Sequence, residues 1–304
     1  MLNLLTRIQA FDYYLACMSI FKSRLLVSII YILLFIAGAY ISISIPESDL
    51  RIKLLIIDVV LTIIVFLQSA ILKNASIYDL YWSVIPFYFL FYWMYELDVR
   101  ELNYRMLICI LLLSLWSWRL SINWFRGWKG LDHEDWRYLD LRKKTGFFYP
   151  IVNFLGIHLF PTILVFIGSL ALEPIFLSQD PISYIDIIGA AVMGLGILFE
   201  SAADNQMHNF KKDPNNKGLN INKGIWKYSR HPNYLGEILF WWGLYILSIS
   251  AGASTIYLLG PGLMTFLFLA ISIPMMEKRL MKKYTEYENY KKETSILLPF
   301  KGLF

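Results

Sequence analysis

Gly224-Ile225-Trp226-Lys227-Tyr228-Ser229-Arg230-His231-Pro232-Asn233-Tyr234-Leu235-Gly236-Glu237 runs directly into Ile238–Met276, 39 residues without a charge. Roughly 20 residues cross the hydrocarbon of a bilayer as a helix, so this run is too long for one span. It reads as two spans with a turn near Ser250–Ser254, and the fold class follows: an all-α integral membrane bundle. Pro232 has no N–H and a fixed φ, which suits the first turn of the helix leading into the run. The unpaired N–H groups of that turn carry the positive end of the helix dipole. With Lys227 and Arg230 beside them they make an anion site, for phosphate or carboxylate. Asn233 and Glu237 share a helix face, Trp241 follows one turn on, and Gly236 lets a neighbour approach the backbone. An acid entering a membrane is costly and usually functional.

Outward from this stretch the rest of the chain agrees. Of 304 residues, 57% are hydrophobic and 17% aromatic, a composition that fits one continuous bundle rather than two soluble domains. Leu25–Ile45 is 21 residues without a charge. Leu54–Leu72 is a second span and carries Asp58, and Asn74–Tyr95 is a third and carries Asp79. Met106–Phe125 has Arg119 near one end, and Phe147–Leu172 is broken by Pro161. Ile187–Ala203 ends near Glu200, with Gly189, Gly194 and Gly196 available for close helix packing. The expected total is about eight transmembrane helices, seven or eight. Residues 1–24 read as an amphipathic interfacial segment, 25–276 as the bundle and 277–304 as a basic tail.

Charge then orients the spans. The segments Phe125–Phe147, Asp204–Arg230 and Glu277–Phe304 are rich in Lys and Arg, whereas Leu172–Asp186 holds Glu173, Asp180 and Asp186 and no basic residue. The basic segments and both termini are therefore expected in the cytoplasm, in a bacterial inner membrane. A net charge of +5 distributed in loops beside apolar spans fits anionic headgroups and not nucleic acid. Cys17 and Cys109 are far apart in or near spans, and the four histidines lack ligand spacing, so neither a disulfide framework nor a metal site is expected. Glu200, Asp204 and His208 recur every four residues, with Lys211 close to the same line, and form a second polar stripe. Gly194-Leu195-Gly196 lies inside an apolar helix, and no Rossmann fingerprint follows a strand pattern.

Asp204-Asn205-Gln206-Met207-His208-Asn209-Phe210-Lys211, then Gly218, then the opening stretch, resembles the C-terminal half of the steroid 5-alpha reductase superfamily, and within it the bacterial membrane proteins of unassigned substrate. Trp118-Arg119-Leu120 and Glu134-Asp135-Trp136-Arg137-Tyr138 resemble that bacterial group as well, so the likeness spans about 76–300. The resemblance implies NADPH-dependent reduction of a polarised C=C bond in a lipophilic, sterol-, isoprenoid- or acyl-like substrate. Asp204 and Lys211 match the acid and base of the family's cofactor loop, Tyr228, Asn233 and Glu237 its tyrosine, asparagine and glutamate, and Arg119 a phosphate-binding arginine. Lys227, Arg230 and His231 complete the expected cofactor set, and Glu200 and Trp241 line the expected cavity.

Two departures stand out. Trp116 and Trp118 occupy the neighbourhood of the family's proton-donating tyrosine, and its early-helix glutamate is at best replaced by Asp79. The candidates for the proton donor are Asp79, Tyr78 and Tyr138, with Arg119 the expected ion partner of Asp79 in a purely structural role. A related family, the isoprenylcysteine carboxyl methyltransferases, uses S-adenosylmethionine and shares Arg-His-Pro-x-Tyr-x-Gly and a tail like Glu277-Lys278-Arg279. That family carries tryptophan where this chain has Glu237, so methyl transfer stands second to reduction. A non-enzymatic lipid-binding protein stands third, because such a protein has little use for Asp79, Glu200 and Glu237 within its spans.

Overall fold

The computed structural model describes residues 18–298, and the expected interfacial segment 1–24 therefore lies mostly outside the described residues. Helix α1, Ile20–Ser44, starts where the Ser19 side chain accepts from Lys22 N. Helix α2, Leu50–Ile71, starts at Asp49, whose carboxylate accepts from Arg51 N and Ile52 N. Such caps satisfy donors that the first helical turn leaves over. A 3₁₀ turn, Ala75–Leu80, leads into α3, Tyr81–Glu96, and α4 is Tyr104–Gly127. Helix α5, Trp136–Thr145, is followed by α6, Tyr149–Val152, α7, Phe160–Ser169, and α8, Leu172–Leu177. Then come α9, Tyr184–Lys212, α10, Pro232–Ile249, α11, Leu259–Phe266, α12, Ile273–Lys283, and α13, Tyr287–Glu293.

Among the described residues six helices are long and apolar enough to cross a membrane: Ile20–Ser44, Leu50–Ile71, Tyr104–Gly127, Trp136–Leu177, Tyr184–Lys212 and Thr255–Lys283. The other two expected spans coincide with α3, of 16 residues, and α10, of 18 residues that open on Pro232 and Asn233 and carry Glu237. The protein is an α-helical integral membrane protein. The turn within the long apolar run falls where expected, between Ile249 and Thr255, with Gly252 at φ +80°.

Pro161 does not break its span as expected. The chain widens into a π turn at Asn153–Leu159 immediately before it, and a second π turn, Leu267–Ser272, immediately precedes Pro274. Proline lacks the N–H that the preceding turn would bond and its ring crowds that turn's carbonyl, so a widened turn lets the helix continue.

Two compact units divide the chain: 1–98 with 117–166, and 99–116 with 167–304. The first unit is organised on α2, whose buried face carries Asp58, Thr62 and Ser69 among Leu54, Ile57, Leu61 and Val65. Asn74 is buried and fastens a loop to it, capping Ser76 N while its amide donates to Leu131 O at 3.0 Å and His133 O at 3.1 Å. The second unit is built on α9 against α10. Gly189 and Gly196 on one helix, and Gly236 and Gly243 on the other, each stand two turns apart and bring the backbones together. A methyl group at Gly196 would lie 2.6 Å from Gly236 O, and one at Gly243 2.5 Å from Met193 N. Gly194, expected to share this role, faces open space.

Candidate functional site

The opening stretch folds as a 3₁₀ turn followed by a helix start within the second unit. Gly224–Lys227 forms a 3₁₀ turn that docks on α9: Ile225 N donates to Gln206 Oε1 at 3.0 Å, and Trp226 Nε1 donates to Ala203 O at 3.2 Å. Ala203, Ile221 and Trp226 form a small apolar cluster, joined by Met207 and Phe210. His231 then stands before α10 with Pro232 in the first turn, and no side chain caps that helix start. Lys227 is exposed, Tyr228 is 58% exposed, and Asn233 is half-buried.

Arg230 and His231 turn the other way. Arg230 Nε donates to Glu277 Oε1 at 2.7 Å, and Nη1 donates to Lys291 O at 2.9 Å and to Thr294 O. His231 Nε2 lies 3.3 Å from Glu277 Oε1, and Lys291 Nζ lies 2.9 Å from Glu277 Oε2. Arg230 N donates to Ser295 O, and Tyr290 Oη donates to Trp226 O, so the tail is tied under the stretch at several points. Burial pushes His231 below its ordinary value, against the pull of Glu277. The phosphate-holding role expected of Arg230 and His231 thus competes with partners within the chain. Glu277→Gln should weaken these ties by about 2 kcal/mol, because Arg230 keeps its carbonyl partners. Faster proteolysis of the segment after Lys283 would register this, and an unchanged cleavage rate would count against the clamp.

Glu237 and Glu200 are both buried. Trp116 Nε1 donates to Glu237 Oε2 at 3.1 Å, and the Trp116 ring stacks on Phe240 at 4.6 Å and meets Trp241 edge-on. Glu200 lies against Gly236, where its side chain takes the room a Cβ would need. The stripe along α9 grades outward: Glu200 is buried, Asp204 and His208 are half-buried, and Lys211 is exposed.

The three proton-donor candidates lie in the first unit. Tyr138 Oη donates to Asp79 Oδ1, and Arg137 Nη2 donates to Asp79 Oδ2 at 3.3 Å. Asp79 thus has Arg137 as an ion partner, because Asp135 caps α5 and the helix presents both Arg137 and Tyr138 from its first turn. Arg119 is half-buried on α4. Tyr78 shares a hydrogen bond with Thr162 Oγ1 at 2.8 Å.

One pair was not assigned a role from the sequence. Tyr81 Oη donates to Asp58 Oδ1 at 2.7 Å, and Asp58 is 0% exposed in the middle of a spanning helix. Its signal in the sequence was that of a lone acid inside an apolar span. Among the described residues no group of His, Cys, Asp and Glu gathers to hold a metal ion.

Fold and site together define a polytopic α-helical membrane protein with buried carboxylates within its helices. A family of proteins of unknown function, DUF1295, matches residues 65–294, and the chain belongs to that family. An uncharacterized protein of Schizosaccharomyces pombe is 26% identical over 254 residues, covering 75% of this chain and 73% of the relative. No solved structure matches the chain.

Proposed function

We propose that this protein is a membrane-embedded, NADPH-dependent reductase of a polarised C=C bond in a lipophilic substrate. The observation that carries the reading is the uncapped start of α10, with exposed Lys227 and half-buried Asn233 beside it and the buried Glu237 one turn further. Backbone N–H groups at a helix start, with a cation nearby, suit a phosphate. Amide and carboxylate side chains suit a ribose or a carboxamide. The resemblance of 204–237 to the steroid 5-alpha reductase superfamily supports the same assignment.

In this reading the α10 start and Lys227 hold cofactor phosphate, while Asn233 and Glu237 orient the sugar or the nicotinamide. Asp204, Lys211 and Tyr228 supply further polar contacts along α9 and the loop. When bound, the reduced nicotinamide supplies a hydride. Trp116 holds the Glu237 carboxylate in one orientation through its indole N–H. Reduction of a double bond also consumes one proton. The acid–hydroxyl pairs within the first unit include Asp58–Tyr81 and Asp79–Tyr138.

Binding of NADPH to the detergent-solubilised protein should weaken at least tenfold in Asn233→Ala and in Glu237→Gln, which is about 1.4 kcal/mol for each lost contact. Both substitutions leaving NADPH affinity at the wild-type value would overturn the assignment. Binding of S-adenosylmethionine without NADPH would favour methyl transfer, and binding of neither would favour a lipid-binding role.

A further inference from the structure

Three buried hydroxyls in the first unit join in a line that ends beside a buried tyrosine–carboxyl pair. Tyr78 Oη and Thr162 Oγ1 are 2.8 Å apart, and Thr162 Oγ1 and Thr62 Oγ1 are 2.9 Å apart. Thr62 stands one helical turn beyond Asp58 on α2, and Tyr81 Oη donates to Asp58 Oδ1 at 2.7 Å. All five residues are buried, and Asp58, Thr62 and Thr162 are fully so. The second carboxylate oxygen of Asp58 is buried and has no hydrogen-bond partner among the described residues. At the other end, Asp79 follows Tyr78 in the chain, and its side chain is 20% exposed where it meets Arg137.

Two features set this line apart from ordinary buried hydroxyls. A hydroxyl that only satisfies itself inside a membrane helix bonds back to a carbonyl of its own helix, as Ser28 does to Arg24 O and Ser201 to Ile197 O. Thr62 and Thr162 instead bond each other across helices. The line also has a direction. Each hydroxyl has one proton to give and lone pairs to receive, and Tyr81 donates to the carboxylate. Thr162 can donate to Thr62 and Tyr78 to Thr162, so these links and the Tyr81 link can all point toward Asp58.

We propose that Tyr78, Thr162, Thr62 and Tyr81 form a hydroxyl relay that restores a proton to the buried Asp58 carboxyl. After Asp58 gives up its proton, Tyr81 passes its phenolic proton to the carboxylate and takes one from Thr62. Thr62 takes one from Thr162, Thr162 from Tyr78, and Tyr78 from water. Each hydroxyl oxygen breaks one O–H bond and makes one, no electrons change hands, and one proton has moved from water to Asp58. The relay rests on the reductase reading only for the reaction that consumes that proton.

The test needs no turnover. In detergent-solubilised protein the carboxyl C=O stretch of Asp58 is assigned as the infrared band lost in Asp58→Asn, and its shift is timed after transfer to D₂O. Thr162→Val and Thr62→Val should slow that exchange at least tenfold, while Thr162→Ser, which keeps the hydroxyl, exchanges at the wild-type rate. If the valine variants melt below the wild type, Tyr78→Phe takes their place, with the same slowing expected. Exchange in these variants as fast as in the wild type overturns the relay, as does a wild type with no protonated carboxyl band lost in Asp58→Asn. A purely structural role for the threonines would lower the melting temperature and leave the exchange rate alone. NADPH does not enter the measurement, so slowed exchange in a protein that binds no NADPH removes the reductase reading and keeps the relay.

Discussion

Gly243→Leu is expected to destabilise the protein by about 3 kcal/mol or more, at or beyond the upper end of what overpacking usually costs. The reason is what the new side chain meets. A Cβ at Gly243 would lie 2.5 Å from Met193 N and 2.9 Å from Gly189 O, and backbone atoms cannot rotate away as a flexible side chain does. The two helices would have to separate, and Gly189, Gly196 and Gly236 would lose their close contacts together. Gly194→Leu is the control, because nothing lies within 4 Å of its Cβ position. It should leave stability unchanged or raise it by up to about 1 kcal/mol through helix propensity. Thermal unfolding of the two variants in the same detergent decides the matter. Equal melting temperatures would mean that close approach of α9 and α10 does not hold the second unit together.

Arg105→Met should cost about 3–5 kcal/mol, the usual consequence of removing one partner from a buried ion pair. Arg105 sits in the first turn of α4 with its side chain 1% exposed, facing Asp186 at 0%. Its Nε donates to Asp186 Oδ1 at 2.6 Å and its Nη2 to Asp186 Oδ2 at 3.2 Å. Nη1 reaches Ser178 Oγ at 2.9 Å and Nη2 reaches Pro181 O at 3.1 Å, so the guanidinium fastens the loop before α9 at several points. A lysine has neither the fork nor the number of donors, and Arg105→Lys should recover little. Asp186 also accepts from Ser183 N in the capping box at the start of α9. Asp186→Asn keeps an oxygen for that cap while removing the orphaned charge, so the double variant Arg105→Met, Asp186→Asn should be more stable than Arg105→Met alone. A double variant no better than the single one would mean that the lost hydrogen bonds, and not the unpaired carboxylate, set the penalty.

How much of this was legible in the sequence follows from the range of each interaction. The helical class was written in uncharged runs such as Leu25–Ile45 and Ile238–Met276, because a bilayer demands about 20 apolar residues in succession. The start of α10 was legible from Pro232 and its neighbours, since a helix start is set within a few residues. Partners distant in the chain were not. Glu277 lies 46 residues beyond His231, and nothing local to Arg230 announces that its guanidinium turns toward the tail. The acids of Leu172–Asp186 were read as a topology signal, yet Asp186 is consumed in the pair with Arg105, 81 residues earlier. The pairing of Asp79 with Arg137, 58 residues later, was not legible for the same reason. Asp58 was visible as a lone acid, but its tyrosine partner lies on another helix. The widened turns before Pro161 and Pro274 escaped because a proline in a span reads as a break until the preceding turn is seen to relax around it.

The central claim, hydride transfer from NADPH to a lipid double bond, is tested most directly by following the hydride. The purified protein is incubated in detergent with NADPH deuterated at the transferable position of the nicotinamide and with a lipid extract of its source membrane, and the lipids are then compared by mass spectrometry. The account predicts a lipid that gains one deuterium from the cofactor and one proton from solvent across a former double bond, with the gain absent in Asn233→Ala. No deuterium in any lipid, together with a methyl group transferred from labelled S-adenosylmethionine under the same conditions, would contradict it.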